Sequence, residues 1–275
     1  DAPNPGGRPF VTYGLIAANC LIYALVTLPL GGTAADPRDP RLAEYVQLVL
    51  QTTPGPVSAR TILSQISAYD LVVLTYGFRP SSPGLLDLFT SMFLHGGFMH
   101  LAGNMLFLWI YGDNVEHRLG RAAFLFWYLV TGAAATGFHL LFAAGSPVPL
   151  VGASGAISGV LGLYFLWFPR NRVRVWVFLF PIFMNVIQVP ARIVLGVFLF
   201  IDNVLPFLVA SGQGGGVAYG AHIGGFLAGL IVAWTSGRRA ATQAPPEFQA
   251  AAASSLPEDE PPPPALAPGE VVTVQ

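Results

Sequence analysis

Two residues of this 275-residue chain could together perform acyl-transfer chemistry, and both lie where polar side chains are rare. Ser154 sits in residues 150–168, LVGASGAISGVLGLYFLWF, and His222 in the apolar run 218–234. A serine hydroxyl attacks a carbonyl when a base within hydrogen-bond reach takes its proton, and neutral imidazole has a fitting pKa. His222 would accept that proton and return it to a leaving amine. The tetrahedral oxyanion then needs donors. The backbone N–H of Ser154 is one, at a helix start where the dipole is positive. His100 and Asn104 are i, i+4 neighbours, so one helical face could present two more.

Such groups need elements that hold them at a common level. The chain is 53% hydrophobic and only 10% charged, with a mean hydropathy of +0.60, which points to an all-α integral membrane protein. Apolar runs long enough to span occur at 10–30, 89–112, 122–144, 150–168, 190–209 and 218–234. They define a core over 10–235, preceded by a cytoplasmic segment at 1–9. A long extracytoplasmic loop covers 31–88. A Pro/Ala-rich tail at 236–275 has too little bulk for a core and is expected to be disordered in the cytoplasm. Pro181, Asn185 and Gln188 argue against a seventh span over 173–190, which is expected to be an interfacial loop.

Arginine placement fixes the direction. With six spans, Arg8, Arg118, Arg121, Arg170, Arg172, Arg174, Arg192, Arg238 and Arg239 face the cytoplasm. Arg38, Arg41, Arg60 and Arg79 lie in the one long outer loop. Within that loop Leu42, Tyr45, Val46, Val49 and Leu50 recur at helical spacing, which suits a helix on the outer membrane surface or packed on the bundle.

Depth follows from the same arginines. Ser154 precedes Arg170 by 16 residues and His222 precedes Arg238 by 16. At about 1.5 Å per residue both stand roughly 24 Å above the inner boundary. His100 and Asn104, 18 and 14 residues before Arg118, bracket that level. Ser158, His139, Asp202 and Asn203 are further polar groups inside spans. Asp202 could orient His222 as a third member, although a snorkelling acid is the more ordinary reading. His139 reads as a core or interface residue, and His95 as a structural hydrogen-bonder at a helix entry. Glu116 and Arg118 read as a network at the cytoplasmic end of their span. Gly152 and Gly155, and Gly225 and Gly229 behind His222, are small enough for helices to approach closely.

Several functions are excluded. There is no basic stripe for nucleic acid. One cysteine, Cys20, permits neither an intrachain disulfide nor a cysteine metal cluster. HLAGN at His100–Asn104 is not the HExxH of a zinc enzyme. An aspartyl enzyme needs two facing acids, whereas Asp113 falls on the cytoplasmic side and Asp202 has no acidic partner inside the spans.

Four motifs in order resemble the rhomboid intramembrane serine proteases from about residue 10 to 234. They are Gly152-Ala153-Ser154-Gly155 (GxSG), His95 with His100 and Asn104 (HxxxxHxxxN), Ala221 with His222, Gly225 and Gly229 (AHxxGxxxG), and Gly112 with Glu116 and Gly120 (GxxxExxxG). The resemblance implies a six-helix bundle with a Ser154–His222 dyad. It implies an oxyanion site formed by His100, Asn104 and the Ser154 backbone. It also implies cleavage of transmembrane segments of other membrane proteins in the bilayer, at sites with small residues and without metal, nucleotide or other cofactor. A bacterial plasma membrane is the expected setting, with both termini cytoplasmic. The glycine-rich turn 212–216 is either a plain flexible turn or, by the same resemblance, a lid that moves when substrate enters. Two departures stand out. The first loop lacks the Trp-Arg pair of many bacterial members, and Ser158 stands where some place a tyrosine that stacks on the catalytic histidine. Two other functions compete, an inactive rhomboid-like protein that binds membrane clients and a transporter. Such inactive proteins typically lose the serine or histidine, both present here, and no internal repeat supports a transporter.

Overall fold

The computed structural model describes residues 7–53, 55, 58–179, 183–209 and 218–242. In chain order these form α1 (Phe10–Gly31), α2 (Arg41–Thr52), α3 (Ala59–Leu63), α4 (Ala68–Tyr76), α5 (Asp87–Phe93), α6 (Phe98–Leu119), α7 (Arg121–Ala143) and α8 (Ser154–Trp167). The strands β1 (Arg172–Leu179) and β2 (Phe183–Pro190) follow, then α9 (Ala191–Val209) and α10 (Tyr219–Thr242). Apolar runs with at most two charged residues make α1, α7 and α9 long and apolar enough to cross a bilayer. The pair α5–α6 is a fourth candidate if taken as one span.

Three elements differ from expectation. The run 89–112 is not one straight helix, because α5 and α6 meet at 97°. Leu94 is extended there, and the His95 N–H donates to the Tyr69 hydroxyl (3.0 Å) instead of to a helical carbonyl. The segment 173–190 is an antiparallel hairpin, not a loop, with register running from Arg172↔Pro190 to Leu179↔Phe183. The chain is therefore mostly helical but not wholly so; the β-branched residues Val173, Val175 and Val177 recur every second position, a strand pattern. Finally, α10 runs to Thr242, past the expected span end at 234 and into the expected tail, through the helix-favouring Arg238, Arg239 and alanines. The rest of that tail, 243–275, and the turn 212–216 lie outside the described residues, as does Pro181. The described residues up to Trp234 form a first compact unit, and the second begins at Thr235.

The centre of the first unit is α8, whose residues from Ala156 to Tyr164 are all buried. A helix apolar all round has neighbours all round. Glycines bring those neighbours in. A Cβ at Gly225 would strike the Gly155 carbonyl, one at Gly229 the Gly159 carbonyl, and one at Gly162 the Phe226 carbonyl, so α8 and α10 meet backbone to backbone. On the other side a Cβ at Gly159 would strike Thr131 of α7.

The outer loop is built, not loose. Leu42 of α2 packs with Ile62, Ile66 and Leu71, flanked by Tyr45, Val46 and Val49. The amphipathic stripe thus seats α2 on its own loop's helices. Arg41 clamps Asp39 (2.6 Å), and that side-chain hydrogen bond holds the Asp39 carboxyl down to about 2. Glu44 and Arg79 pair across the loop. Tyr69 then ties the loop to the turn between α5 and α6: its hydroxyl donates to the His95 carbonyl (2.9 Å) while accepting from the His95 N–H.

Glu116 joins α1 to α6. Its buried carboxylate accepts from the N–H groups of Val11 (3.0 Å) and Thr12 (2.7 Å) and from the Thr12 hydroxyl (2.8 Å), capping the first turn of α1. Glu116→Leu leaves those donors unmet and is expected to cost about 3 kcal/mol. Thermal unfolding in detergent checks this: the midpoint should fall clearly for leucine and less for glutamine.

Candidate active site

Ser154 is the first residue of α8, and the segment before it is pinned from outside. Leu150 and Phe78 exchange backbone hydrogen bonds (3.0 and 2.8 Å), and the Gly152 N–H donates to the Ser91 carbonyl (2.8 Å). Gly152 has φ +121°, a conformation side chains disfavour, and a Cβ there would lie 2.7 Å from Nε2 of His100. Its smallness therefore clears His100 and shapes the turn, instead of serving helix contact as expected from sequence. Gly155 does serve contact, since a Cβ on it would lie 2.8 Å from Cβ of Ala135. Placed at the helix start, the Ser154 N–H lacks an intrahelical partner and the dipole makes it a good anion donor.

His222 lies in the first turn of α10. Its Nε2 is 2.8 Å from the Ser154 hydroxyl, and both residues are half-buried. The other ring nitrogen, Nδ1, is 2.6 Å from Oδ1 of Asn203. Asp202, the acid considered for that task, is exposed, and its neighbour Asn203 occupies the place at 1% exposure. Sequence pattern left Asn203 without a role. What faces it inward is a π-turn over Phe200–Val204 inside α9, and no spacing rule announces such a turn.

The sequence-nominated oxyanion donors gather around Gly152. A Cβ there would stand 3.7 Å from Nδ2 of Asn104 as well as against His100. Asn104 is buried, and its Nδ2 donates one hydrogen to Nε2 of His95 (3.0 Å), leaving the second for a ligand. His95 is fully buried and meets the His100 ring edge-on at 5.1 Å. His100 is exposed. Ser158 is buried one turn after Ser154 and offers no ring for His222. His139 abuts the start of α10, 3.4 Å from where a Gly220 Cβ would be. A cavity of about 10 Å³, room for one water, adjoins Ser154 and is lined also by Ser91, Gly152 and Thr136. Among the described residues no three His, Cys, Asp or Glu side chains are grouped to hold a metal.

Long apolar helices around a Ser–His pair at the head of a buried helix define an integral membrane protein with a hydrolase-like constellation. Residues 83–239, more than half of the chain, match the Rhomboid domain family, and the chain belongs to that family. It is 36% identical over 146 residues to the rhomboid protease GluP of Bacillus subtilis (strain 168), covering 53% of this chain and 25% of that protein. It is 28% identical over 170 residues to the mitochondrial rhomboid protein 1 of Saccharomyces cerevisiae, covering 60% and 46%. The chloroplastic rhomboid-like protein 11 of Arabidopsis thaliana is 29% identical over 166 residues, covering 55% and 52%. The chain thus spans about half the length, or less, of these curated relatives.

Proposed function

We propose that this protein is an intramembrane serine endopeptidase that cleaves transmembrane segments of other membrane proteins. The observation that carries this is the 2.8 Å hydrogen bond between Nε2 of His222 and the Ser154 hydroxyl at a helix head. Ser154 Oγ gives its proton to Nε2 as it attacks the scissile carbonyl. The oxyanion receives hydrogen bonds from the Ser154 N–H, Asn104 and His100. On collapse the C–N bond breaks and the imidazolium protonates the leaving amine. A water, deprotonated by His222, then hydrolyses the acyl-enzyme and restores both groups. No cofactor takes part.

The reading includes six spans at about 10–30, 89–112, 122–144, 150–168, 190–209 and 218–234, with the loop 31–88 outside and both ends cytoplasmic. The plasma membrane of a bacterium is the proposed setting. At 14 residues, α8 is about 21 Å long, shorter than the roughly 30 Å hydrocarbon core. With its Trp167 end at the inner boundary, Ser154 lies below the outer surface, where a substrate helix must unwind to reach it.

Incubation of the purified protein in proteoliposomes with single-span reporter proteins tests the proposal. Wild type should release two fragments cut within the apolar segment. Asn104→Ala should lower kcat on the order of 10²-fold with KM little changed, because it removes a donor used by the oxyanion. If folded wild type holds the reporters without cutting them, the client-binding reading replaces this one.

A further inference from the structure

The tautomer of His222 can be read from the atoms around Asn203. Nδ2 of Asn203 is 3.0 Å from the Phe198 carbonyl, and Oδ1 is 2.6 Å from Nδ1 of His222. A carbonyl oxygen only accepts, so the amide nitrogen must face Phe198 and the amide oxygen must face the imidazole. An amide oxygen also only accepts. Nδ1 of His222 therefore carries the hydrogen, and Nε2 presents its lone pair to the Ser154 hydroxyl 2.8 Å away. Asn203 is almost fully buried, so water does not compete for either bond.

We propose that Asn203 is a positioning residue of this site, a third member in the chain Ser154–His222–Asn203 that holds the imidazole in its proton-accepting tautomer and supports the imidazolium formed on attack. This rests on the Ser154–His222 reading given above. The logic is that of any base oriented by a third group: a ring free to rotate or to place its hydrogen on Nε2 meets the serine with the wrong nitrogen. It also accounts for the absence of an aromatic ring at Ser158. Here His222 is oriented by a hydrogen bond from the side of α9, and the π-turn is the local distortion that delivers it.

The two bonds of Asn203 separate a positioning role from a structural one. Asn203→Leu removes both the donor to Phe198 and the acceptor for His222. Asn203→Asp keeps an acceptor for Nδ1–H. The readout is inactivation by a fluorescent fluorophosphonate, in which Oγ bonds to phosphorus and fluoride leaves, resolved into kinact and KI. Asn203→Leu should lower kinact on the order of 10²-fold with KI changed less than about threefold, and Asn203→Asp should recover most of that loss. A leucine variant with wild-type kinact overturns the proposal while leaving the dyad intact; an aspartate variant as slow as leucine overturns it too. Wild type that is folded but unlabelled overturns the dyad reading and this one with it. Nitrogen-15 spectra of histidine-labelled wild type give a second check that needs no variant to fold except His222→Gln for assignment. Hydrogen on Nδ1 of His222 is expected, and hydrogen on Nε2 contradicts it.

Discussion

Ser154→Ala is expected to lower cleavage of a reporter about 10⁴-fold or more while leaving the protein folded. The size follows from the role proposed for the group: if Oγ is the nucleophile, its loss leaves no acyl-enzyme, and only oxyanion stabilisation and binding remain. The fold survives because Ser154 contributes one side-chain hydrogen bond, to His222, and is half-buried at the start of α8. Such a bond is worth about 1 kcal/mol net. His222→Ala should cost a comparable factor, and the double variant should be hardly worse than either alone if, as proposed, the pair acts as a unit. Reporter cleavage with a parallel melting curve measures both halves. Independent, multiplying losses would show that the two residues do not share a step.

Gly225→Val is expected to damage structure and activity together. The added Cβ would overlap the Gly155 carbonyl, which is backbone and cannot rotate aside, and would crowd Cβ of Ser158 at 3.2 Å. Overpacking a core costs about 1–3 kcal/mol, and more where nothing yields. The helices must separate, and the separation falls at Gly155, next to Ser154, and at Gly225, three residues from His222, whose hydrogen bond is 2.8 Å long. Gly196→Val in α9, where a Cβ meets nothing, is the matched control and should be nearly neutral. The measurement is melting temperature and fluorophosphonate labelling of both variants. A Gly225→Val protein that melts and labels as wild type does would contradict the backbone-to-backbone packing of α8 and α10.

Much of this arrangement could be read from residue types and spacing. Apolar length announces α1, α7 and α9, and counting from Arg170 and Arg238 puts Ser154 and His222 at one level. The close approach of α8 and α10 is foreshadowed by Gly225 and Gly229. What was not legible depends on contacts distant in sequence. The bend between α5 and α6 is stabilised by Tyr69, which lies 26 residues from His95. The hairpin over β1 and β2 carries enough apolar residues to pass for an interfacial segment, because a pairing register is a property of two strands together. Asp202 drew notice as the acid near His222, yet the π-turn in α9 turns Asn203 inward instead. Gly152 looked like a packing residue, and only the place of the His100 ring reveals what its missing side chain is for.

On the proposed mechanism Ser154 is a nucleophile activated by His222. The most direct test is to treat detergent-solubilised wild type with a fluorophosphonate and map the modified residue by mass spectrometry of peptides, beside Ser154→Ala and His222→Ala. Modification of wild type at Ser154, lost in Ser154→Ala and strongly slowed in His222→Ala, is the predicted result. A folded wild type that stays unmodified, or that is modified at another serine with Ser154→Ala unaffected, would contradict it.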